Sequence, residues 1–266
     1  MSDLLDQLLA DLAAEGERLD DLVAGLDDSD DGGWRTPTPA EGWDVATQVA
    51  HLAWTDEAAV LAATDREGWD ALVLDASGDP DRYIDRRALE GGRVEPAELL
   101  DRWRTARGSV ADALRSHPDG RRMPWFGPPM SAASMATARF METWAHSLDV
   151  HHALDADPEV TDRIRHVAHL GVRTRDFAFS VHGLDAPAEE FRVELTAPSG
   201  DLWSWGPESA SQSVRGSGLD FCRLVTQRVH RDDTDLVARG RDATAWLGIA
   251  QAFAGPPGEG RAPTDG

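Results

Sequence analysis

Glu142 and His146 stand four positions apart, so on a helix they lie one turn above each other on one face. From there a carboxylate oxygen and an imidazole nitrogen can reach a single ion. His51 belongs to a different segment and completes a two-imidazole, one-carboxylate set if its helix faces the other. Helical bundles build metal sites from inward Glu and His in this way. Three protein ligands leave a coordination position open, which a catalytic site needs and a structural one does not. Spacing alone leaves plainer readings open: a solvated ion pair for Glu142 and His146, and a structural role for His51.

Other residues offer weaker chemistry. Asp149 follows His146 by three positions on the same side of the helix, where it either orients a ligand from behind or is a surface charge. His151 and His152 point in other directions. His166 and His169 share a helical face but lack a third partner nearby in sequence, so packing is the better reading. Trp43 reads as a packing anchor before a helix start. Trp125 and Phe126 either line the mouth of a site or cover one end of the helices. Cys222, between Phe221 and Leu224, reads as an inert buried thiol. Arg139 and Arg175 are candidate carboxylate clamps.

These side chains need helices to hold them. Leu4, Leu5, Leu8, Leu9, Leu12, Leu19, Leu22 and Val23 recur at helical spacing and predict an amphipathic helix over 3–25. Residues 26–42 are rich in Asp, Gly, Thr and Pro and read as loop. Asp44 is a good N-cap for a second helix, which carries His51. From 65 to 93 the pattern supports only short helical pieces and loop. A third long helix should begin near Pro96. A loop over 116–129 leads to a fourth helix over 131–154, bearing Glu142 and His146, and Pro158 and Glu159 open a fifth running towards Phe179. Beyond Gly183 the period changes. Phe191, Val193 and Leu195 alternate with polar residues, and residues 202–205 follow a Ser-Gly turn, as in a hairpin. A helix over 218–228, a short strand over 234–237, a helix over 243–254 and a disordered tail complete the expectation.

The 266 residues can bury a substantial core. The formal charge is -22, from 48 acidic and 26 basic side chains, and every basic one is arginine. Schiff-base and phosphate-loop lysines are thereby excluded. So negative a field disfavours nucleic acid and anionic membranes as partners. No apolar run approaches the roughly 20 residues of a membrane helix, and Asp3 and Asp6 sit where a secretory signal would be basic. With Cys222 the single cysteine, no internal disulfide forms. A cytoplasmic protein is expected.

The stretches EGWDVATQVAHLAWTD (41–56) and RFMETWAHSLDVHHAL (139–154) resemble the paired signatures of the maleylpyruvate isomerase N-terminal domain, a branch of the DinB-like metalloproteins of actinobacteria. The loop PWFGPPMS (124–131) is similar to the family loop before the last bundle helix. The resemblance implies that His51, Glu142 and His146 bind a divalent metal, zinc foremost, with iron, nickel or manganese as alternatives. It also implies an Asp at the place of Asp149 and mycothiol as the thiol cofactor, here expected against Trp125 and Arg175. Family members often carry a C-terminal α+β domain similar to sterol-carrier proteins, with a functional arginine to which Arg228 loosely corresponds; a surface ion pair is the alternative for Arg228.

The expectation is therefore a mainly α protein: a DinB-like antiparallel four-helix bundle over 1–182, a small α+β domain over 183–256 and a tail over 257–266. Its partners would be a small-molecule thiol and an electrophilic substrate, the thiolate serving isomerisation or S-transfer. Two readings from other classes share the residues: a non-haem Fe(II) oxygenase, which uses the same donor set, and a non-catalytic carrier of metal or apolar ligand.

Overall fold

The computed structural model describes residues 2–80, 82–258 and 260–264. Its chain divides into two compact units, Met1–Pro158 and Glu159–Gly266. Four long helices dominate the first: α1 (Ser2–Val23), α2 (Val45–Thr64), α5 (Pro96–Ser116) and α6 (Ala132–Ala153). Between α2 and α5 lie the short α3 (Arg66–Ala76) and α4 (Tyr83–Gly91), the pieces that the broken pattern there allowed.

Local chemistry sets the starts. The Asp44 carboxylate accepts the Thr47 amide at 2.7 Å, capping α2; Pro96 opens α5; and the Ser131 hydroxyl accepts from the Ser134 amide, capping α6. Packing follows from the apolar faces: α2 lies on α4, α5 and α6, and α1 lies on α5 and α6. Leu19, Val23, Trp34, Val45, Val49, Leu52, Leu99, Trp103 and Val150 form their shared core. Because α2 is covered on nearly all sides, even Gln48, Thr55 and Asp56 are buried.

In the second unit, a 3-10 turn at Asp162–Ile164 leads into α7 (Arg165–Arg173) and α8 (Arg175–Val181). The single helix expected from Pro158 towards Phe179 thus starts later and breaks at Thr174. There the hydroxyl donates to Gln251 O, and the chain turns. The sheet has the order β2-β1-β3-β4. β1 (Arg192–Thr196) pairs antiparallel with β2 (Leu202–Trp205), as the hairpin pattern predicted, and parallel with β3 (Ser213–Ser217), which pairs antiparallel with β4 (Val237–Arg239). Helices α9 (Gly218–Val225) and α10 (Arg241–Leu247) pack beside it. α10 is shorter than expected and stops before Gly248.

The division falls at 158/159, earlier than the 182/183 boundary expected from the change of period. α7 belongs with α9: Gly171 approaches so closely that a Cβ there would meet Val225 at 2.9 Å and Phe221 at 3.1 Å. Within the expected tail, residues 259, 265 and 266 lie outside the described residues, and Thr264 donates through its amide and hydroxyl to Asp233. No described helix is long and apolar enough to cross a membrane.

Candidate metal centre

The Asp44 cap fixes where α2 begins, and His51 comes almost two turns later on the side that meets α6. The Ser131 cap does the same for α6, bringing Glu142 and His146 round to meet it. Nε2 of His51 and Nε2 of His146 each lie 3.3 Å from the same atom, Oε2 of Glu142. One ligand atom from each of the three residues falls within 4.8 Å of the others. In a tetrahedron with bonds of about 2.0–2.1 Å, ligand atoms stand about 3.3–3.4 Å apart. The two separations to Glu142 equal that edge, and with the third pair within 4.8 Å the donor set can close on a small divalent cation.

Burial by itself would push the Glu142 carboxyl upward. Hydrogen bonds and charge from His146 and His51 outweigh it and hold the group well below the usual carboxylate range. The carboxylate is therefore ionised wherever the protein is folded near neutrality, as a ligand must be. The side chains of His51, His146 and Glu142 remain 9%, 13% and 20% exposed, so the centre is screened from bulk water without being sealed.

Behind the ligands lies a hydrogen-bond chain that sequence reasoning missed. The Thr38 hydroxyl donates to Trp43 O at 3.0 Å and so accepts from Gln48 Nε2 at 2.9 Å. That leaves Gln48 Oε1 facing His146 Nδ1 at 2.5 Å. An amide oxygen can only accept, so Nδ1 carries the proton and Nε2 keeps its lone pair for the centre. His51 has no such support: its Nδ1 is buried without a hydrogen-bond partner.

Trp43 is more than a packing anchor. Its indole is nearly parallel to the His146 ring, at 17° and 5.9 Å, and tilted against His51 at 5.4 Å. Its Nε1 donates to Asp85 on α4. Trp43 and Thr38 also line a cleft of about 360 Å³, together with Arg35, Asp44, Thr47 and Arg93.

The remaining expected residues have the following surroundings. Asp149 is buried in α6 three residues beyond His146, whose Nδ1 donates to Gln48 Oε1. Trp125 stacks on Trp69 at 5.6 Å and meets Phe126 edge-on, in an aromatic cluster that also holds Trp54 and Tyr83. Arg139 is no surface clamp: it is 1% exposed and ion-paired with Asp56 at 2.8 Å. Arg175 is committed to Asp176, Glu189 O and Pro187 O and covers the Phe191 ring at 4.5 Å, a brace for the chain before β1. Arg228 follows α9 and donates to Thr226 O. His169 accepts from Trp205 Nε1 through Nδ1, and burial lowers its pKa, in keeping with packing. Cys222 is buried, its thiol pushed far up by burial.

Fold and site together define a mainly helical protein with a small C-terminal sheet and a largely buried His/Glu/His donor set. The chain belongs to the mycothiol maleylpyruvate isomerase N-terminal domain family, whose model matches residues 12–151, a span containing all three donors. A second family model, described as wyosine base formation, matches residues 187–239, which hold all four strands. An uncharacterized protein of Mycobacterium tuberculosis, matched in two strains, is 56% identical over 253 residues, covering 95% of this chain and 97% of the relative. Crystal structures of the mycothiol-dependent maleylpyruvate isomerase and of a histidine-to-alanine mutant of it superpose with TM-scores of 0.57 and 0.58. These alignments cover 88% of this chain and 92% of that one at 16% identity, a likeness of fold.

Proposed function

We propose that the protein is a metal-dependent enzyme that uses a low-molecular-weight thiol of the mycothiol kind, as a maleylpyruvate-type cis-trans isomerase or a thiol S-transferase. The observation that carries this is the meeting of His51, Glu142 and His146 inside the helices of the first unit, with each imidazole 3.3 Å from one Glu142 oxygen and all three ligand atoms within 4.8 Å. On this reading α1, α2, α5 and α6 form a DinB-like antiparallel bundle, the second unit is a sterol-carrier-like module, and the protein works in the cytoplasm. Zinc suits the N/N/O donor set. When bound, the ion supplies a Lewis-acid position that lowers the pKa of a thiol and so provides a thiolate near neutral pH.

The chain's own residues then have defined tasks. Gln48 holds the proton on His146 Nδ1 and keeps Nε2 available. Glu142 stays ionised between two imidazoles. Trp43 closes one side of the donor set and limits water there. The cleft beside Trp43 falls within the roughly 300–1,000 Å³ of small-molecule sites and offers room for the body of a thiol or its substrate. The thiolate would add to an electrophilic carbon of an anionic enoyl substrate. In isomerisation the former double bond, now single, rotates and the enolate expels the thiolate again; in S-transfer the enolate takes a proton and the adduct leaves.

The test is elemental analysis of purified wild type beside His51→Ala and His146→Ala, followed by thiol titration of the cobalt-substituted protein. One equivalent of metal in the wild type, its loss in both variants and a thiol-dependent change in the cobalt spectrum are expected. Retention of stoichiometric metal by both variants would overturn the site. Oxygen-dependent bleaching of a ferrous form would move the reading to an oxygenase, and a cobalt spectrum indifferent to thiol would move it to a carrier.

A further inference from the structure

We infer that Arg139, Asp56 and Thr55 form a register clamp that sets α2 against α6 so that His51 meets Glu142 and His146. The inference rests on the metal-centre reading, to which it adds positioning residues. Arg139 Nε donates to Asp56 Oδ1 at 2.8 Å, and its other arm donates to Thr55 Oγ1 at 2.7 Å. The Thr55 hydroxyl in turn donates to His51 O at 2.8 Å. Thus one guanidinium on α6, three residues before Glu142, is tied to two side chains on α2, and through one of them to the backbone of the ligand His51.

The rest of α2 sets its register only in part. Its buried set is rich in small apolar residues: Ala46, Ala50, Ala53, Ala58, Ala59 and Ala62. A slide of one turn, about 5.4 Å, would replace Val45 by Val49, Ala46 by Ala50, Val49 by Ala53 and Ala58 by Ala62. At those places apolar side chains would stand where apolar side chains stood before, whereas Asp56 would take the place of Leu52 and Trp54 that of Ala50, so packing disfavours the slide and the clamp adds a charge penalty to it. The same slide would place Leu52 or Val60 opposite Arg139, stranding a charge that is 1% exposed. It would also put Thr47 or Thr55 where His51 stands. A buried ion pair is a weak source of stability but a strong source of specificity against wrong alignments, because only one alignment neutralises it. Here the penalised alignments are those that separate the three ligands.

The prediction separates positioning from stability. The double variant Arg139→Met with Asp56→Leu removes both charges and leaves apolar contact. Its melting temperature in the metal-free state should be equal to or above that of wild type. Its affinity for cobalt(II), added alone, should fall by about 10-fold to 100-fold, the range found when ligand-supporting partners are lost, and its ligand-field spectrum should broaden or shift. Thr55→Val, nearly isosteric, removes only the link between Arg139 and the His51 carbonyl and should weaken cobalt binding without abolishing it. A folded double variant with wild-type cobalt affinity and spectrum overturns the clamp. Should the double variant fail to fold, Thr55→Val decides, and wild-type affinity and spectrum there overturn the clamp as well. Failure of the wild type itself to bind cobalt would sink the metal reading and take the clamp with it, an outcome distinct from binding that the variants leave unchanged.

Discussion

Replacing Gln48 by Leu removes the acceptor of His146 Nδ1 while keeping the side chain's bulk. Gln48 is fully buried, so water cannot simply take its place. The loss is of the Gln48 acceptor from a buried imidazole N–H, a penalty of about 1–3 kcal/mol. At 1.4 kcal/mol per factor of ten, that corresponds to about 5-fold to 150-fold in metal affinity if the whole penalty falls on the metal-ready tautomer. The measurement is competition of zinc(II) against a chromogenic chelator at fixed neutral pH. Gln48→Glu is the control, since a carboxylate is the stronger acceptor and should hold or tighten the affinity. Metal-free melting must be measured beside it, because Thr38 Oγ1 also loses its donor. A Gln48→Leu protein whose zinc affinity stays within about twofold of wild type would refute the tautomer argument.

Asp20 accepts a two-armed contact from Arg104 and a third from Arg107, fastening α1 to α5, and the Arg104 bond holds its carboxyl below the usual value. Its contribution is present above the ordinary carboxylate pKa and is lost as pH falls through the lowered value. Asp20→Asn should therefore cost about 1 kcal/mol near neutrality, and the gap in melting temperature should close in acid, below roughly pH 3.9. Cys222 should resist maleimide or disulfide reagents in the native protein and react only in denaturant, as burial pushes its thiol up; fast native labelling would contradict its placement. Gly171→Ala should destabilise the second unit by about 1–3 kcal/mol, as its Cβ would press on Val225 and Phe221; an unchanged denaturation curve would show that α7 and α9 do not meet there.

The helix starts were legible because Asp44, Pro96 and Ser131 act locally: each cap depends on residues within one turn. The approach of His51 to Glu142 and His146 was not legible from spacing, and came from motif likeness to a family. Gln48 was missed because its partner lies on another helix, although a lone amide three residues before a histidine, on so apolar a segment, was a usable signal. β3 escaped because SVRGS offers only Val214 to an alternation pattern and owes its pairing to β1 and β4. In sequence α7 reads as one more helix of the series, and only its glycine-mediated approach to α9 assigns it to the second unit.

The packing of Trp43 against both imidazoles has an optical corollary. An indole so close to an open-shell ion loses its excited state far faster than one across the molecule. Among the ten tryptophans this single ring should darken first when cobalt or copper enters, giving the protein an intrinsic gauge of occupancy with no added dye.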